Sequence, residues 1–397
     1  MLITSAFIGP GTVTVCSLAG YRFGYSLIWA LLFSVTATIV LQEMAARLGL
    51  ISGKGLAENI KIELNKIKWL KYVALILVFS GILVGNGAYE AGNIGGAVLG
   101  METLIGTIRV VADIEDIVFD INIWGIVIGL VSTILILRGN YKLIERSMIF
   151  LVTIMSVVFV VAAVAIKPDL SELLNGLVPS IPDGGILFVV GLIGTTVVPY
   201  NLFLHSSSVS QKWKSENDLG TARFDTFFAI AIGGIISLAI IITAASIPKG
   251  SEITSAADLA VQLEPLLGSW AETFIAIGLF SAGISSSLTA PLAASFAASG
   301  IFGFPPSFKN RWFKLVSITI LFIGTAFAST GFKPIEVIKF AQAANGILLP
   351  FIAVFLVWIM NRKSLLGKYS NSYFNNILGI IVILVTLILG IKSLISL

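Results

Sequence analysis

The chain has 397 residues, of which 57% are hydrophobic and only 12% charged, with a mean hydropathy of +1.00. A soluble domain carries about 25% charged residues, so this composition excludes an ordinary water-soluble enzyme and fits lipid as the solvent. The net charge of +4 is spread over separate short loops, without a polybasic run interleaved with aromatics, which argues against a nucleic-acid partner. A single cysteine, Cys16, excludes a disulfide framework and any cysteine-rich metal site.

A membrane-crossing helix needs about 20 apolar residues. Such stretches recur along the whole chain and predict an all-α membrane protein with eleven segments, at 3–20, 24–48, 71–100, 121–138, 145–166, 184–210, 222–247, 268–302, 312–329, 335–360 and 374–396. Nothing between them is long enough for a soluble domain, so 1–397 reads as one transmembrane domain. No cleavable leader is evident. Eight residues precede Gly9, about 12 Å of helix against a hydrocarbon thickness of about 30 Å. A chain started at an internal Met or truncated is the expectation that follows.

Lys and Arg mark the cytoplasmic side. Most of the 25 basic residues fall in alternate connections, from Arg47 through Lys71, then Arg138 to Arg146, Lys212 to Arg223, Lys309 to Lys314, and Arg362 to Lys368. The opposite side carries acidic residues such as Asp113, Glu115, Asp116 and Asp120. The N-terminus is therefore expected in the cytoplasm and the C-terminus outside, in a multi-pass protein of the cell membrane.

Two parts of the chain look alike. Tyr21-Arg22-Phe23-Gly24-Tyr25 opens the second segment and Ala222-Arg223-Phe224-Asp225-Thr226 the seventh. Each follows a segment broken by proline, at Gly9-Pro10-Gly11-Thr12 and at Val198-Pro199-Tyr200-Asn201. Proline removes a backbone donor and clashes with the preceding turn, while glycine leaves helical geometry cheaply. Unwound backbone inside a bilayer is tolerated only where it is buried in protein or lines a cavity. The pairing predicts two five-helix repeats, 1–166 and 184–360, inverted because five is odd, plus an additional helix at 374–396. A binding site is expected where the broken helices meet.

These residues resemble the NRAMP (natural resistance-associated macrophage protein) family of proton-coupled divalent-metal transporters over nearly the whole length, as a divergent prokaryotic branch. The similarity is carried by Phe23-Gly24-Tyr25 through Gln42-Glu43-Met44-Ala45-Ala46-Arg47-Leu48-Gly49, by Pro199-Tyr200-Asn201-Leu202-Phe203-Leu204-His205-Ser206-Ser207, by Arg223-Phe224-Asp225-Thr226 and by Ser281-Ala282-Gly283-Ile284-Ser285-Ser286-Ser287. The resemblance implies a LeuT-type fold with a 5+5 inverted repeat, broken helices one and six, a substrate site between them, and a monomer. The departures sit at that site. The family's Asp-Pro-Gly-Asn reads Gly9-Pro10-Gly11-Thr12 here, and its Met-Pro-His reads Val198-Pro199-Tyr200. The metal-binding carboxylate, asparagine, thioether and first histidine are all replaced. The family's second histidine is matched by His205 and a tenth-helix glutamine by Gln342.

Without the family, the polar side chains of the breaks are Thr12, Thr14, Ser17, Thr195, Thr196, Tyr200, Asn201 and His205, none of them anionic near neutral pH, and the expected substrate-binding set is Gly9, Gly11, Thr12, Thr195, Thr196, Val198, Tyr200, Asn201 and Gln342. Divalent cations favour carboxylates or imidazole and sulfur ligands, so this donor set fits Mn²⁺ or Fe²⁺ poorly. A largely hydrated Mg²⁺ demands less of its ligands. A neutral or zwitterionic organic solute, or a monovalent cation on backbone carbonyls, fits better. Glu90, deep in the third segment, reads as a carrier of the coupling proton or a substitute for the missing carboxylate, against a purely structural glutamate. His205 reads as a proton group or a packing residue. Glu43 and Asp225 read as caps or gate ion pairs, Ser285 to Ser287 as packing residues or part of a cation site, and Gly92, Gly95 and Gly96 as packing.

The expected function is secondary active transport, nominally of divalent metal ions with protons. The alternatives are the same fold carrying a small solute or monovalent cation, or a non-transporting sensor. An enzyme, a resident cofactor and ATP-driven pumping are not expected, since no nucleophile–base pair and no phosphate-binding loop is present.

Overall fold

A computed structural model describes residues 8–66, 68–114, 117–139, 142–248, 253–330 and 332–395. Residues 3–7 of the first apolar segment, Glu115, Asp116, Lys249 and residue 396 of the last segment lie outside the described residues. In chain order the helices are α1 (Pro10–Phe23), α2 (Ile28–Ser52), a short α3 (Leu56–Glu63), α4 (Lys68–Ile105), α5 (Ile123–Arg138), α6 (Lys142–Ile166), a short α7 (Leu170–Asn175), α8 (Ile186–Thr196), α9 (Pro199–Lys212), α10 (Leu219–Ala245), a short α11 (Ala256–Ala260), α12 (Ala271–Phe302), α13 (Arg311–Ala328), α14 (Pro334–Met360) and α15 (Tyr373–Ile395). Eight spans among the described residues are long and apolar enough to cross a bilayer, one of them formed by α8 and α9 together. Many side chains of α5, α6, α13 and α15 are apolar and exposed, including Leu130, Phe150, Phe322 and Ile388. Such a surface is stable only in lipid.

The interior is held by close backbone approach. With no hydrophobic drive between helices in lipid, small residues let helices meet. α4 and α12 pack in this way: a β-carbon at Gly283 would lie 2.6 Å from the Asn93 carbonyl oxygen and 2.6 Å from the Ala97 nitrogen. α1 meets α10 at Gly20, against the Ile241 carbonyl, and α2 meets α9 at Gly49, against the Ser206 carbonyl. Gly96 of α4 receives the ring of Pro10, so the start of α1 is seated on α4.

The connections hold structure that the apolar pattern does not reveal. The acidic loop after the third segment forms an antiparallel hairpin, β1 (Arg109–Ile114) with β2 (Ile117–Asn122), in which Arg109 pairs with Asn122. Arg109 also bridges Asp120 at 2.9 Å. Asn122 ends the hairpin and caps α5, accepting from the Trp124 nitrogen at 3.1 Å. The third segment itself runs on at both ends of the expected 71–100, because α4 continues from Lys68 to Ile105.

On the Lys/Arg-rich side, Arg47 is buried and gathers four partners. It donates to Glu43 at 3.0 Å, the Tyr369 carbonyl at 2.9 Å, the Ser370 carbonyl at 3.4 Å and Asn371 Oδ1 at 2.9 Å. Glu43 accepts a second bond from Arg223 at 2.8 Å. α2, α10 and the chain before α15 are thereby tied at one point. Asp225 is a looser partner of Lys212 at 3.7 Å.

Candidate functional site

The first break is sharp. Gly9 is extended (φ −94°, ψ 175°) and Pro10 opens α1 at a position where its missing N–H costs nothing. From Pro10 to Gly20 every residue of α1 is buried. The sixth segment is two helices, as its proline implied: α8 ends at Thr196, Val197 and Val198 leave helical geometry, and Pro199 opens α9.

The two breaks face each other. Thr12 Oγ1 lies 3.1 Å from Thr195 Oγ1. Gly11 abuts the side chain of Gln342, where a β-carbon would collide with the amide. Gly194 abuts the Gln342 backbone in the same way, so α14 closes the gap between α1 and α8. A β-carbon at Gly9 would lie 3.2 Å from Ser286 Oγ and 3.6 Å from the Tyr89 hydroxyl. Tyr89 in turn meets Tyr200 edge-on, with ring centroids 5.1 Å apart. Val198 packs with these two tyrosines against Ala290 and Ala293.

Several buried polar atoms here have no hydrogen-bond partner among the described residues: Gln342 Oε1, Ser286 Oγ, Asn201 Oδ1, Thr14 Oγ1, both amide atoms of Asn86 and Asn345 Nδ2. Unsatisfied buried polar atoms are costly and concentrate where a ligand or water belongs. Thr196 is turned away, donating to its own helix at the Leu192 carbonyl, 2.9 Å. Ser287 is taken up by Ser132 at 2.8 Å, and Ser286 is the member of the serine run nearest the first break.

The two proton candidates stand apart from the breaks. Glu90 is fully buried, accepts from Asn93 at 3.2 Å, and packs its methylenes on Gly324 of α13. Its other oxygen, Oε1, has no partner among the described residues. It thus faces α13, while Tyr89, one residue earlier, faces α1 and α9. His205 lies one and a half turns into α9 and bonds Thr226 of α10, Nε2 to Oγ1, at 3.1 Å. Thr226 donates to the Ala222 carbonyl at 2.7 Å.

Tyr89, Asn86 and Asn345 were not singled out from the sequence. Their signal was present in outline, as polar residues in apolar segments. Gln262 was also missed. It follows α11, is buried, donates to Ser17 of α1 at 2.9 Å and accepts from Thr243 of α10 at 3.0 Å. A cavity of about 560 Å³ opens beside the second break, reaching Pro199 and Tyr200. No group of three or more His, Cys, Asp or Glu able to hold a metal occurs among the described residues.

Facing helix breaks, stapled by a long helix and embedded in lipid-facing helices, define a membrane transporter of LeuT-type fold. The sequence comparison makes the class narrower. A family model described as natural resistance-associated macrophage protein-like matches residues 1–396, and the chain belongs to that family. It is similar to the divalent metal cation transporter MntH of Staphylococcus saprophyticus, 28% identical across 100% of this chain and 90% of that protein. The protein of the same name from Yersinia pestis is 27% identical across 99% of this chain and 92% of the relative. In fold it is similar to the manganese transporter of Eremococcus coleocola bound to an aromatic bis-isothiourea compound, with a TM-score of 0.75, 18% identity, and coverage of 100% and 85% of the two chains. The inward-facing form of Mhp1 is more distant, with a TM-score of 0.56, 14% identity, and coverage of 99% and 88%.

Proposed function

We propose that the chain is a secondary transporter that carries a divalent cation through the space between the two breaks, coupled to protons. The observation that carries this reading is the apposition of Thr12 and Thr195 at 3.1 Å beside the unpartnered amide oxygen of Gln342. The end of α8 leaves its last carbonyls without intrahelical partners and carries the negative end of the helix dipole, which favours a cation. Those carbonyls, the two threonine hydroxyls and the amide oxygens of Gln342 and Asn201 form an all-oxygen, uncharged donor set. Such a set holds a divalent cation less tightly than carboxylates would, and among such ions it favours a hard one that keeps part of its water, Mg²⁺ ahead of Mn²⁺. The related proteins named divalent metal cation transporters support the cargo class.

Glu90 carries the coupling proton in this proposal, on a carboxyl held by one hydrogen bond and otherwise enclosed. It does not replace the missing carboxylate, because it faces Gly324 rather than the breaks. His205 takes a proton on the Lys/Arg-rich side. The N-terminus is placed in the cytoplasm and the C-terminus outside, the two five-helix repeats are inverted, and the transporter works as a monomer.

A second reading rests on a specific feature: two helix N-termini, at Pro10 and Pro199, border a site without a carboxylate. Such ends attract anionic groups, so a zwitterionic solute would find a partner for its carboxylate there. Calorimetry on purified protein separates the two. Saturable heat from Mn²⁺ or Mg²⁺, with uptake of the same ion into proteoliposomes, supports the cation. No heat from either metal, with heat from an amino acid, overturns it.

A further inference from the structure

We infer that the 560 Å³ cavity beside the second break is a binding site for a small neutral amphiphile, entering from the bilayer, with an amide-like head and a hydrocarbon body. The cavity lies between α4, the start of α9, α14 and α15. Its size is that of a small-ligand pocket. Among the described residues its lining, apart from Asn86, Asn345 and the Tyr200 hydroxyl, is apolar or glycine, and no Asp, Glu, Lys, Arg or His takes part. A charged ligand would be stranded there without a counter-charge.

Two features select an amphiphile over a plain hydrocarbon. Asn86 and Asn345 are each 1% exposed and line the cavity with amide atoms that have no partner among the described residues: both Oδ1 and Nδ2 of Asn86, and Nδ2 of Asn345. A buried amide left unpaired is unfavourable, and a ligand that accepts from one and donates to the other removes that cost. The mouth faces lipid. Val84, Phe351 and Val354 line the cavity and are 63%, 57% and 48% exposed, on a surface that meets acyl chains. Because the mouth opens among side chains that meet acyl chains, the bilayer supplies its occupant.

The occupant would touch α4, α9 and α14 at once. α9 begins at the break, so a ligand seated against Pro199 and Tyr200 packs on the start of that half-helix. This inference does not depend on which cargo the breaks hold.

The test uses the full chain in nanodiscs without metal and a diazirine-bearing decanamide as photoprobe. Labelling is expected in the peptides that contain Gly81 to Asn86 and Leu348 to Phe355. It should be competed by excess decanamide. The Asn86→Leu/Asn345→Leu variant should lose at least tenfold of the competable labelling, and Val84→Trp, which changes only a lipid-facing position at the mouth, should lose it as well. Thermal melting of each variant reports folding, and the Val84→Trp result stands even where the double variant does not fold. Labelling that excess decanamide fails to compete, that spreads evenly over lipid-facing helices, or that is unchanged in Val84→Trp overturns the inference.

Discussion

Thr12 and Thr195 stand 183 positions apart in the chain and touch through their hydroxyl oxygens at 3.1 Å. This contact joins the two helix breaks. Replacing either residue by valine keeps the shape and removes the bond. Each single change is expected to cost about 1 kcal/mol, and the double variant less than the sum, by about 0.5–1.5 kcal/mol. Unfolding in mixed micelles measures all three. Strict additivity would mean that the hydroxyls do not act on each other.

Gly9 opens the first break, extended and next to Pro10. Among the described residues a side chain there meets Ser286 Oγ and the Tyr89 hydroxyl, both at the ends of side chains that can turn. Gly9→Asp is therefore expected to fold and to tighten Mn²⁺ binding at least tenfold, about 1.4 kcal/mol, as a charged oxygen joins neutral ones. Calorimetry reads the change. Unaltered affinity would place the cation elsewhere.

Glu90→Gln preserves the hydrogen bond from Asn93 to the side-chain oxygen and the packing on Gly324 while removing the titrating proton. Metal uptake into proteoliposomes is expected to lose its dependence on an imposed pH gradient and to persist at low rate. A wild-type pH response in this variant would move the coupling role to another group.

Arg47 is buried and satisfies four acceptors on α2 and the chain before α15. Arg47→Met leaves Glu43 with Arg223 and strands the carbonyls of Tyr369 and Ser370. A loss of about 3 kcal/mol is expected. Arg47→Lys should recover less than half, since an ammonium lacks the planar fork. Equal stability of Met and Lys variants would show that packing, not the fork, matters at this position.

Asp258 sits in the connection that carries α11, outside the spanning part of the eighth segment. Burial acts to raise its pKa, but donors from Thr254 and Ser255, backbone and hydroxyl, outweigh it and hold the carboxyl below the ordinary value of 3.8. A group depressed in the folded state stabilises above its unfolded value, and the contribution is lost as pH falls through the folded one. Wild type is therefore expected to melt above Asp258→Asn at pH 6, and the gap to close once the pH falls below 3.8. A gap constant from pH 6 to pH 3 would contradict the sign.

The sequence alone settled the lipid solvent, the placing of the apolar segments and the positions of the breaks. Its signals for these are local. Segment length is set by bilayer thickness, and Pro10 and Pro199, at matching places in the two look-alike stretches, marked the breaks, whereas Pro291 and Pro350 lie inside α12 and α14 without ending them. The connections were not legible, because their structure is decided by distant partners. α3 begins where the Leu56 nitrogen finds Ser206 Oγ of α9, at 2.9 Å. The hairpin ends where the Asn122 nitrogen finds the Ser329 carbonyl, at 2.9 Å. Gln262 is buried only because Ser17 and Thr243 receive it.

Direction was likewise beyond the sequence. A buried helix is apolar all round, so its pattern does not say which neighbour each face meets. Glu90 and Tyr89 are adjacent in the chain, yet one packs on Gly324 and the other approaches Gly9. The helix turns about 100° per residue, and only the packing of α4 among α1, α12, α13 and α14 decides that the carboxyl turns away from the breaks while the phenol turns toward them.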